Sequence, residues 1–97
     1  MEDAGEGLLH VSGPDGMAID DTGSVAVAHP GIGIVWLFDR RGLPVARIES
    51  CKGPMVMNIT YGGPQNRWLY ITEEASGSVL RAEMPEPGLP MFSHGVA

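Results

Sequence analysis

Apolar residues fall in short runs, each closed by Gly, Pro, Asp or Asn. The runs cover residues 8–11, 17–20, 24–28, 34–38, 45–49, 56–61, 67–72 and 78–83, with a last one near 91–93. Between them lie the turn sequences SGPDG, DDTG, HPGIG, DRRG, GGPQN and EEASG. Strand-length runs with a turn signal every ~8–12 residues predict an all-β chain, a sandwich, barrel or propeller. The fourteen Gly and eight Pro would cut long helices and suit tight turns.

The second half of the chain replays the first. Gly13-Pro14 recurs as Gly53-Pro54 and Met17 as Met57, 40 residues on. Val25 and Val27 match Leu69 and Ile71, and Gly33-x-Val35 matches Gly77-x-Val79, 44 residues on. The four extra residues of the second copy are assigned to GGPQNR. A period of ~40–45 residues with four strands per unit predicts two four-stranded β-propeller blades. Residues 1–97 form one unit, with a first blade and N-terminal edge strand over 7–50 and a second blade over 51–97. Residues 34–38 (IVWLF) are apolar on both faces, as a strand between layers is. Residues 45–49 alternate, with Val45, Arg47 and Glu49 on one face and Ala46 and Ile48 on the other. Trp36 and Trp68 are expected to fill the space between blades.

Charge narrows the function classes. Twelve acidic against six basic side chains give a net charge of −6. That excludes a phosphate-binding face for nucleic acid and disfavours anionic lipid. No apolar run approaches a membrane helix, and the acidic N-terminus MEDAGEGLLH lacks the pattern of a signal peptide. One cysteine, Cys51, permits no intrachain disulfide and suits a cytoplasmic protein.

Candidate chemistry centres on Asp15, in the stretch GPDGMAID. An x-Pro-Asp-Gly sequence shapes a turn anywhere. A carboxylate at the start of a strand can equally bind a metal or take a proton. GIGIVW has two glycines, not three, and joins two strands, so it fails as a nucleotide loop. His10, His29 and His94 show no metal spacing, and Ser12, His29 and Asp15 lack a nucleophile elbow. EEASG at 73–77 is expected to be a solvated turn, and Cys51 beside Lys52 a small residue at a strand end.

The stretches GPDGMAID, VAVAHPGIGIVWLFDRRG and NITYGGPQNRWLYIT, with PGLP near the end, resemble the C-terminal part of the gluconolactonase/senescence marker protein (regucalcin-like) family. The resemblance spans about residues 12–92 and implies a six-bladed β-propeller. It also implies hydrolysis of lactones with a divalent metal, Ca, Mg, Mn or Zn, in the central channel, and a small lactone or sugar acid as the ligand. In that family the Asp of the PDG motif is a metal ligand and general base, which falls here on Asp15. Asn58 matches an Asn before the YGG-type turn and is a candidate channel-lining amide, or a plain strand residue. His29 is a second candidate lining residue.

This sequence departs from the family in one respect: the Glu and two Asn that complete the metal site come from earlier blades with no counterpart here. Two blades leave sheet faces and edges uncovered. A head-to-tail contact closes into a ring, and three copies of two blades would rebuild six. The expected partner is therefore the chain itself, as a homotrimer or, alternatively, a domain-swapped dimer. The expected function is metal-dependent lactone hydrolysis, or else a non-catalytic propeller piece acting in self-assembly or ligand binding.

Overall fold

A computed structural model of the chain describes residues 16–89 and the backbone of residues 2–3. The elements are β1 (Glu2–Asp3), β2 (Met17–Ile19), β3 (Val25–His29), β4 (Ile34–Phe38), β5 (Pro44–Glu49), β6 (Val56–Gly62), a single 3-10 turn (Pro64–Asn66), β7 (Trp68–Glu73) and β8 (Ser78–Glu83). The described residues are thus all-β. They form two four-stranded antiparallel sheets, ordered β2-β3-β4-β5 and β1-β8-β7-β6. The runs predicted at 8–11 and 91–93 lie outside the described residues.

Each hairpin follows from its turn residues. Gly23 and Gly77 sit at φ +88° and +68°, a left-handed conformation open to glycine without a Cβ penalty. Asp20 fixes the β2–β3 turn by accepting from Thr22 N–H at 2.8 Å, Thr22 Oγ1 at 2.7 Å and Ser24 N–H at 2.9 Å. Asp39 does the same for β4–β5, accepting from Arg41 and Leu43 N–H. These are Asx turns, in which a short carboxylate replaces a backbone acceptor.

Cross-strand pairing sorts the side chains into faces, because directly opposed residues share one. In the first sheet one face carries the rows Ala18–Ala26–Leu37 and Ala28–Val35–Ile48, and the other carries Met17–Val27–Trp36 and Ile19–Val25–Phe38. In the second sheet one face carries Ile59–Ile71–Leu80 and Tyr61–Leu69–Ala82, and the other Thr60–Tyr70–Arg81 and Thr72–Val79. The alanine-rich face of the first sheet packs on the large aliphatic face of the second. Ala26, Val35, Ile59, Leu69, Ile71 and Leu80 are buried there in one cluster, with Ala18, Ala28, Leu37 and Ile48 against it. We call these the inward faces and the opposite ones the outward faces.

The repeat is visible in these rows, with one correction. The extra residues of the second copy do not all lie in the turn. Val25 pairs with Ile19 across residues 20–24, and Leu69 pairs with Tyr61 across residues 62–68, so the turn is longer by two. The other two precede Ile59, where β6 and β7 shift register between Val56 and Ile59. An inserted residue absorbed as a bulge leaves the later pairing intact, so the apolar face is preserved.

Trp36 and Trp68 are not in the inter-sheet core. Both are half-buried on the outward side, because their strand positions alternate away from Val35 and Leu69. Trp36 Nε1 donates to His29 Nδ1 at 3.1 Å, and Arg81 stacks over the Trp68 ring at 4.6 Å.

Residues 84–89 strap the sheets together. Met84 N–H donates to Arg67 O, Asp21 N–H to Pro87 O, and Leu89 N–H to Ile19 O. Asn66 grips Gly88 twice, its carbonyl accepting from Gly88 N–H and its Nδ2 donating to Gly88 O, both at 2.8 Å. No helix among the described residues is long and apolar enough to cross a membrane.

Candidate functional site

Asp15 itself lies outside the described residues, but its neighbour Gly16 does not. Gly16 O accepts from Ala28 N–H at 2.7 Å, which ties the end of the PDG motif to the end of strand β3. A Cβ built on Gly16 would lie 2.9 Å from Met57 O and 3.3 Å from Ala28 Cβ. The glycine of the motif is therefore demanded by a close approach of two backbones. It abuts β6 where the ladder is irregular.

That irregularity repositions Asn58. Its N–H leaves the ladder and donates to Thr72 Oγ1 at 3.0 Å, and its side chain is half-buried. Bulges of this kind re-aim side chains and concentrate near functional sites. The structure thus brings the residue following Asp15 and the residue preceding Asn58 into contact, at one end of the two neighbouring strands β2 and β6. His29 stands at the same end, one residue beyond Ala28. Its ring is exposed and engaged by Trp36.

Glu73, placed by sequence in a solvated turn, is a buried carboxylate instead. It is 1% exposed. Oε2 accepts from Met55 N–H at 2.8 Å and Ala75 N–H at 3.1 Å, and Oε1 accepts from Ser76 N–H at 2.7 Å and from Ser76 Oγ. The Ser76 hydroxyl leads in holding its pKa down to about 2; burial opposes, and the backbone N–H groups of Ser76, Met55 and Ala75 add to the lowering. Gly53 makes room for it, since a Cβ there would lie 2.6 Å from Oε2. A carboxylate saturated by four donors anchors the start of β6 to the β7–β8 turn. The sequence held one signal for it: Glu73 occupies the repeat position of His29, at a strand end before a Gly-containing turn.

Tyr61 closes the other end. Burial foremost, with the charges of Asp20 and Asp21, pushes its phenol up to about 12. Among the described residues no three or more His, Cys, Asp or Glu assemble into a metal-binding group.

The family model for the SMP-30/gluconolactonase/LRE-like region matches residues 2–75. The chain belongs to this family. The matched span of this gluconolactonase-like chain holds the PDG motif, His29, Asn58 and Glu73, and ends just before β8. No individual curated protein matches it.

Proposed function

We propose that the chain supplies two blades of a gluconolactonase-type β-propeller, with Asp15 as the metal-binding carboxylate of a lactone hydrolase. The observation that carries this is the contact of Gly16 with Met57. It sets Gly16, the residue after Asp15, against β6 one residue before Asn58. Asp15 and Asn58 offer hard oxygen donors, a carboxylate and an amide, which suit Ca²⁺, Mg²⁺ or Mn²⁺, with Zn²⁺ also tested below. One chain's pair is short of the ~six to eight oxygens such an ion takes, whereas three copies around an axis would bring three pairs.

A bound cation would polarise the lactone carbonyl and acidify a water. The Asp15 carboxylate holds the ion's position and accepts the water's proton as the ring ester opens. Asn58 orients the substrate from the neighbouring strand. His29, committed to Trp36, lines the rim.

The test is thermal melting with Ca²⁺, Mg²⁺, Mn²⁺ or Zn²⁺, paired with hydrolysis of simple lactones, for wild type and Asp15→Ala. An ion that binds only the folded state raises Tm. A shift and a rate that both vanish in Asp15→Ala support the reading. A rate unchanged by Asp15→Ala sinks it, and the loss of both effects in wild type leaves the non-catalytic propeller piece.

A further inference from the structure

We infer that the outward face of the first sheet docks on the outward face of the second sheet of another copy, head to tail. This rests on the ring reading above and specifies its contact surface.

The rows Met17–Val27–Trp36 and Ile19–Val25–Phe38 are the repeat counterparts of Ile59–Ile71–Leu80 and Tyr61–Leu69–Ala82. In the second sheet every one of those six residues is buried, covered by the first sheet of the same chain. In the first sheet the same positions are apolar but incompletely covered: Met17 is 54% and Ile19 45% exposed, and Val25, Val27, Trp36 and Phe38 are half-buried. An exposed apolar sheet face marks an interaction surface. Its occupant follows from continuing the inter-sheet interface already present within the chain. What covers the second sheet is the inward face of the first, so what covers the first is the repeat counterpart of that face. The counterpart is Thr60–Tyr70–Arg81 with Thr72–Val79, on the second sheet of a neighbour.

On that face Tyr70 is already buried, and the half-buried Trp68 with Arg81 stacked over its ring has the composition that interface centres favour.

The experiment is sedimentation equilibrium on wild type, Met17→Lys and Val79→Glu, each checked for native β-structure by circular dichroism. Met17 is already exposed, so its substitution spares the fold. Both variants are expected to lose self-association by ~10-fold or more, as an unpaired charge enters an apolar contact. An equimolar mixture of the two retains one intact surface pair and is expected to form a heterodimer and nothing larger. A closed wild-type trimer supports both this contact and the six-blade ring. An open, concentration-dependent polymer supports the contact and overturns the ring. Monomeric wild type, or a dimer unaffected by Val79→Glu, overturns the contact and assigns the apolar face to itself or to another chain.

Discussion

The carboxylate of Glu73 rests on the Cα of Gly53, with Oε2 2.6 Å from where a Cβ would stand. The Gly-Pro pair that opens each repeat thus has a steric purpose in the second copy: it leaves space for a buried acid from the neighbouring strand. Gly53→Ala is expected to destabilise the fold by ~1–3 kcal/mol, the usual range for overpacking. Urea denaturation measures it. Gly42→Ala, with nothing within 4 Å but φ +87°, isolates the purely conformational part.

Glu73 also sets an acid limit. Its pKa is lowered to about 2, so folding keeps it ionised where the unfolded chain would protonate it. The stabilisation is complete above the ordinary carboxylate value of 4.5 and drains away as pH falls toward 2. Glu73→Gln should be less stable at pH 7 and show a flatter decline over that window. Chemical denaturation at a series of pH values measures both, and an unchanged acid limb would refute the assignment.

Tyr61 acts with the opposite sign. Its phenol is raised from 10 to about 12, so the folded state holds a proton that the unfolded state releases. Stability is full below pH 10 and is lost as pH rises toward 12. Tyr61→Phe should flatten that alkaline decline, with absorbance titration of the phenolate as the direct readout.

Gly88 lies against the Tyr61 ring, where a Cβ would collide with Cβ and Cγ of the tyrosine. Gly88→Ala must push the strap off both Tyr61 and Asn66. We expect a lower Tm and faster proteolysis near residues 84–89, a larger effect than Asn66→Ala, which removes one side-chain hydrogen bond worth about 1 kcal/mol.

Asp20→Ala removes the acceptor of three donors in the β2–β3 turn, and a loss of ~2 kcal/mol is expected. Asp20→Asn keeps an oxygen acceptor and should lose less. Equal losses in a melting assay would place the effect in charge instead of turn geometry.

The strands were legible because period-2 alternation and turn residues are local properties. Residues 34–38 and 78–83 fall where the pattern puts them, and the repeat matches Val25 and Val27 to Leu69 and Ile71. Family membership was legible too, because GPDGMAID and NITYGG are contiguous motifs. Three things were not local and so were hidden. The burial of Glu73 depends on Gly53 and Met55, a strand away. The positions of Trp36 and Trp68 depend on which sheet face is covered, and that is set by packing between sheets. The approach of Gly16 to Met57 needs a bulge in β6 that no turn residue announces. Sequence by itself determined the strands from β2 to β8 and the family, since these follow from neighbours along the chain, whereas the pairing of β1 with β8 joins the two ends of the chain and was not legible. Only the tertiary structure decided which faces are buried and which residues meet at the end of β2 and β6, because burial and close approach arise between segments far apart in sequence.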